Sequence, residues 1–175
     1  MKKVDKINKI IQKMEGKLIG IGINDEMVIK EIDKNNNIYE CDLLDSIDLS
    51  NQESGKKKRK KYIKKLRKKY KDKSVDYIIM DPTKIFRKLK FLIKDTIYIN
   101  NKKIYIYMDK NDDYEFVIKR YKRYTKNIET IKCDDGIIIN IDSTDSKKHI
   151  IKNIFYYIID TLYNISDMIG DILVS

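Results

Sequence analysis

Leu18-Ile19-Gly20-Ile21-Gly22-Ile23, followed at once by Asn24-Asp25-Glu26, decides the fold of this 175-residue chain. Six consecutive uncharged residues are too few for a buried helix and suit a strand covered on both faces. Asn24 can then cap a helix that runs to about Lys34. Working outward, Val4, Ile7, Ile10, Ile11 and Met14 recur at steps of three and four, which predicts a helix over 2–14 that Gly16 ends. On the other side, Asn35-Asn36-Asn37 marks a turn, Ile38 to Leu44 a second strand, and 45–55 a polar loop.

The alternation continues. Val75 to Met80 is short, apolar and closed by Asp81-Pro82, as expected of a buried strand ending in a turn. Ile85, Phe86, Leu89, Leu92 and Ile93 give helical spacing over 83–94. Ile97 to Met108 has two readings: a hairpin turning at Asn100-Asn101-Lys102, or a helix running on to Ile99 followed by one strand from Lys103; the second is preferred. Asp113 can cap a helix whose inner face is Val117, Ile118, Tyr121 and Tyr124, and Asn127 to Cys133 and Gly136 to Ile141 form an antiparallel pair about Asp134-Asp135. Short strands alternating with helices imply an α/β fold: a three-layer, Rossmann-like, mainly parallel sheet with helices on both faces and a terminal antiparallel hairpin. No Pro/Gly/Ser-rich linker divides the chain, so 1–175 is read as one domain with its sheet core over 16–142.

Charge is informative once located. Lys56 to Lys73 holds 13 basic residues and one acid, Asp72, so this stretch carries +12 while the whole chain carries +11. The rest is a near-neutral domain. Tyr62, Ile63, Leu66 and Tyr70 fall on one side of a helical wheel, so 56–73 is expected to be a basic helix docked by a narrow stripe. Its outward cations, Lys57, Lys60, Lys61, Lys64, Lys65, Arg67 and Lys68, exceed ordinary surface mixing and point to an anionic partner, RNA or DNA first among them. The segment 149–175 repeats Ile151, Ile158, Ile165 and Ile172 at seven-residue steps beside Phe155, Leu162 and Ile169, the pattern of a long amphipathic helix. At ~1.5 Å per residue it is longer than a domain this small readily covers, which suggests packing on a protein partner or a second copy. Asp160, Asp167 and Asp171 break its apolar run, so no membrane span is expected. Cys41 and Cys133 lack metal-site spacing and are expected to be free thiols of a cytoplasmic protein. A lone His149 and the turn-forming Asp109, Asp112 and Asp113 give no catalytic group and no metal site.

The element order is similar to that of the class I S-adenosylmethionine-dependent methyltransferases, over roughly residues 16–142. Gly20-Ile21-Gly22 stands where that family's glycine-rich cofactor loop follows the first strand. Glu40 or Asp42, at the end of the second strand, stands where the family's acid accepts hydrogen bonds from a ribose. Asp81-Pro82 resembles the start of the Asp-Pro-Pro-aromatic motif of base-modifying methyltransferases. The resemblance implies S-adenosylmethionine as cofactor, with Gly20, Gly22, Glu40, Asp42 and Asp81 around it. The chain departs from the pattern at Leu18, where the family has an acid, at Asn24, where it often has Gly, and at Thr83 and Lys84, which replace the second Pro and the aromatic. The stretch between the second strand and Val75 also leaves out a strand that the family normally has. Asp25 and Glu26 at the helix start would repel a phosphate. The expectation is a non-catalytic, methyltransferase-like domain that binds a polyanion through its basic helix. An active methyltransferase is the alternative, and a structural subunit organised by the C-terminal helix a second one.

Overall fold

A computed structural model of the chain describes residues 1–44, 66, 68–83 and 89–144. The expected C-terminal helix over 149–175, and all of the basic helix but its last residues, lie outside the described residues. The elements are α1 (Lys3–Ile11), β1 (Lys17–Ile21), α2 (Glu26–Lys34), β2 (Glu40–Leu44), β3 (Val75–Met80), α3 (Leu89–Ile99), β4 (Asn100–Asp109), α4 (Tyr114–Tyr121), β5 (Ile128–Lys132) and β6 (Gly136–Asp142). The strands form one sheet in the order β2-β1-β3-β4-β6-β5. β2, β1, β3 and β4 run parallel, and β6 is antiparallel to both β4 and β5. The mainly parallel sheet closed by a terminal antiparallel pair is therefore as the sequence predicts. Among the described residues no strand intervenes between β2 and β3, and β2 stands at the end of the strand order.

Burial on both faces explains why residues 18–21 of β1 and 78–80 of β3 read as apolar runs. Side chains alternate across a strand, so Leu18 packs with Ile7, Ile11, Val28 and Ile32 under α1 and α2. Ile19 and Ile21 pack on the opposite side with Leu92, Ile93 and Ile97 of α3 and with Val117 and Tyr121 of α4. Each such side chain contributes about 1.5–3 kcal/mol when fully removed from water.

Local chemistry fixes the element boundaries. Asp25, one residue later than expected, caps α2 by accepting from Met27 N at 2.9 Å and Val28 N at 3.2 Å, while Asn24 donates its amide to Gly22 O at 2.8 Å. Asp113 caps α4 through Phe116 N at 3.0 Å. α1 lacks a side-chain cap of its own, and Asp135 in the β5–β6 turn accepts from Lys3 N at 2.7 Å instead. The second reading of 97–108 holds: α3 reaches Ile99 and β4 follows without a loop, beginning three residues before Lys103. Asn100 makes this junction possible. Its buried amide donates to Asp76 O and Lys103 O, both at 3.1 Å, and satisfies carbonyls that a loop would otherwise leave to water.

Asp112 accepts from Asp109 N at 3.0 Å, so the Asp-rich turn organises itself. Among the described residues no group of three metal-ligating side chains occurs, no helix is long and apolar enough to cross a membrane, and both cysteines are free.

Candidate functional site

β1 leads through α2 to β2 on one side, whereas β3 lies on the other side of β1. In such a sheet the connections diverge at this reversal and open a crevice outside the carboxyl ends of the two central strands. At that end Gly22 takes φ +69°, a conformation that favours glycine, and its N–H reaches Leu44 O at 3.0 Å. Asp81 N donates to Ile21 O at 3.0 Å, which sets the first residue after β3 beside the end of β1.

A cleft of about 340 Å³ opens here, lined by Asn24 and Asp25 before α2, Asp81 and Thr83 after β3, and Tyr107 and Asp109 near the end of β4, with Lys3 of α1 reaching in. Lys3 is ion-paired with Asp109. Asp25 and Asp81 are each engaged through Oδ1: Asp25 by the two α2 amides, Asp81 by Thr83 N at 3.0 Å and by the Thr83 hydroxyl. Tyr107 is 2% exposed, and its Oη has no hydrogen-bond partner among the described residues. Burial pushes its phenol well above the usual tyrosine range, and the carboxylates of Asp81 and Asp25 push the same way, so the hydroxyl stays protonated at neutral pH.

The structure brings Gly22 and Asp81 together at this end. Gly20 lies inside β1, opposite Leu43. A Cβ there would stand 2.6 Å from Leu43 Cδ2 and 2.8 Å from Ile23 Cδ1, so packing within the chain already explains the missing side chain. Glu40 and Asp42 require a correction. Glu40 opens β2, paired in register with Lys17, and Asp42 sits in mid-strand opposite Ile19, so neither stands at the carboxyl end of the strand. Glu40 forms an ion pair with Lys17 at 2.7 Å. Asp42 is held by Lys69 and by the Tyr70 hydroxyl. Burial, the largest influence on Asp42, raises its carboxyl, but Lys69, Tyr70 and Lys17 together outweigh it and hold the carboxyl below its ordinary range.

Lys57, Lys60, Lys61, Lys64, Lys65 and Arg67 lie outside the described residues. At the end of the run, Tyr70 N donates to Leu66 O at 2.8 Å, one helical turn, and both side chains are buried. Lys68 and Lys69 between them are exposed. Lys73 instead turns inward, with φ +54°, and donates to Ile97 O at 3.2 Å and Ser143 O at 3.0 Å. Tyr107 and Lys3 escape a sequence reading, because Tyr107 sits in the apolar alternation of β4 and nothing near Lys3 announces a partner more than a hundred residues away.

No protein-family model matches the sequence, and no curated protein does either. Solved structures do. The chain is similar to a release-factor-specific protein-(glutamine-N5) methyltransferase of Alicyclobacillus acidocaldarius, with TM-score 0.51 and 11% identity over 78% of this chain and 87% of that one. It is similar to a putative S-adenosyl-L-methionine-dependent methyltransferase of Methanococcus maripaludis, with TM-score 0.51 and 16% identity over 81% and 84%. A putative ribosomal RNA methyltransferase of Plasmodium falciparum gives TM-score 0.50 and 13% identity over 79% and 94%. The fold is methyltransferase-like. Of the expected cofactor residues, the described acids of β2, Glu40 and Asp42, lie short of its carboxyl end, and the Leu43 and Ile23 side chains pack beside Gly20.

Proposed function

We infer that this methyltransferase-like domain binds a polyanion, nucleic acid first, through the run Lys56–Lys73, and does not use the crevice as a methyl-transfer site. The observation that carries the reading is the burial of Leu66 and Tyr70 under exposed Lys68 and Lys69. Lys68 is exposed and Lys69 pairs with Asp42, while the other cations of the run, by the same helical wheel, are expected on the face away from the stripe, at a density that repels itself unless an anion is near. The release of counterions from a bound phosphate backbone would drive association.

The test is binding to RNA and to duplex DNA at several salt concentrations, for the wild type and for a variant with Lys57, Lys60, Lys61, Lys64, Lys65 and Lys68 changed to Gln. The variant keeps its melting temperature, binds far more weakly, and loses about 0.9 in log–log salt slope for each duplex phosphate contact removed. Equal binding by both proteins would end the nucleic-acid reading.

The second reading, an active S-adenosylmethionine-dependent methyltransferase, is favoured by Gly22 at φ +69° and by Asp81 lining a cleft at the carboxyl end of the sheet. Calorimetry with S-adenosylmethionine decides between them, and low-micromolar affinity that Gly22→Arg abolishes would establish the second.

A further inference from the structure

The cleft holds more than a surplus of acid. Three carboxylates face one lysine, and that lysine is already paired with one of them, Asp109. Asp25 and Asp81 have no partner for Oδ2 among the described residues. The independent observation is Tyr107, 98% buried by its 2% exposure, lining the same cleft with a hydroxyl that bonds to nothing described. Asn8 Oδ1 and Asn140 Oδ1 are buried without a described partner as well, but of the three residues Tyr107 alone lines this cleft, where a group from outside, water or ligand, can complete the hydroxyl.

The chemistry selects the group. Metal ions seek several converging oxygens, whereas Asp25 and Asp81 spend one oxygen each on local backbone amides. An anion would be repelled by both. A neutral acceptor would satisfy the phenol alone and leave two carboxylates uncompensated. An alkylammonium supplies three N–H donors and one positive charge, which suits two free carboxylate oxygens and the acceptor lone pair of a phenol. The chain as a whole is +11, so a cation is not drawn here by net charge; local carboxylates alone would attract it.

We propose that the cleft between α1, the start of α2 and the carboxyl ends of β3 and β4 binds the primary ammonium group of an organic amine, with Asp25 and Asp81 supplying the counter-charge and Tyr107 Oη accepting one of its hydrogens. The proposal does not rest on the basic run, which is a separate surface of opposite sign.

The experiment is titration calorimetry of the full chain with putrescine as the amine probe, 1,4-butanediol as its uncharged analogue, and S-adenosylmethionine in parallel. Putrescine binds and butanediol does not. Tyr107→Phe removes one oxygen and keeps the ring in the core, so it weakens putrescine about tenfold, as loss of a hydrogen bond to a charged group should. Because the oxygen it removes is unsatisfied in the free protein, the same variant melts at the same temperature or higher. Asp81→Asn weakens putrescine by a similar factor without a change of fold. Absence of putrescine binding at millimolar concentration would overturn the proposal. So would unchanged affinity in Tyr107→Phe, or a lower melting temperature for it, which would show the hydroxyl already satisfied. Binding of S-adenosylmethionine with putrescine inert would overturn it too, because the adenosyl part and not the ammonium would then select the cleft.

Discussion

At the amino end of the central strands, Asp76 accepts from Lys17 N at 3.0 Å, from the Tyr39 hydroxyl at 3.2 Å and from the Asn101 amide at 3.4 Å, and pairs with Lys102 at 3.4 Å. Beside it Glu40 pairs with Lys17. At the carboxyl end, Asp25 and Asp81 hold only their own local turns, and Tyr107 Oη holds nothing described. One sheet thus closes its carboxylate at one end, whereas at the other Lys3 closes Asp109 and leaves Asp25 and Asp81 with local partners alone. The difference separates stabilising charge from charge kept for a ligand: the first is shared among several protein donors, and the second is incomplete until something binds.

The strongest way to break this contrast is at Gly16, which has φ +127° and whose Cβ would lie 2.3 Å from Asp76 Oδ2. Gly16→Ala meets both backbone strain and a clash with the closing carboxylate, and is expected to cost about 2–4 kcal/mol. Urea denaturation at unchanged m-value measures it. A loss under about 1 kcal/mol would mean that the amino end yields easily and is not the rigid end.

Asp76→Asn is a smaller perturbation, because an amide oxygen can still accept but the charge is gone; about 1–2 kcal/mol is expected. Its pH dependence sharpens the point. Burial, the largest influence, raises the Asp76 carboxyl, yet the Lys17 amide, Asn101, Lys102 and Tyr39 together bring it below its ordinary value. A carboxyl lowered in the folded state adds stability above its unfolded pKa and loses it as pH falls through the folded one. The gap in melting temperature between wild type and variant should therefore be steady near neutrality and close below about pH 4. A gap that ignores pH would remove charge from the explanation.

The smallest effect is expected at the open end. Asp81→Asn should shift stability by no more than about 0.5 kcal/mol, since its local turn survives. Thermal melts of the two Asn variants side by side make the comparison direct. Equal losses would mean that the two ends are built alike.

Much of the fold was legible because it rests on local chemistry. Val75–Met80 is read in full, the hairpin falls about Asp134-Asp135, and Asp113 caps its helix, since apolar period, turn residues and caps act within a few positions. The cap of α2 misses by one residue because Asn24 and Asp25 are both good caps, and the Asn24 amide is taken by Gly22 O. The site was legible only in part. Gly22 and Asp81 follow from their strand ends, but Glu40 and Asp42 were placed at the end of β2, where the pairing of Lys17 with Glu40 shows the strand only beginning.

The sequence by itself determined the order of elements, the mainly parallel sheet with its antiparallel edge, and the concentration of charge in Lys56–Lys73, because each depends on the kinds of residue that stand near one another along the chain. Only the tertiary structure decided which carboxylates are satisfied. Lys17 meets Glu40, Lys69 and Tyr70 meet Asp42, and Lys3 meets Asp109 through pairings that cross tens of residues and depend on strand register and helix position, while Tyr107 comes to line one cleft with Asp25 and Asp81. Composition counts such charges, but it cannot say which of them the fold has already spent.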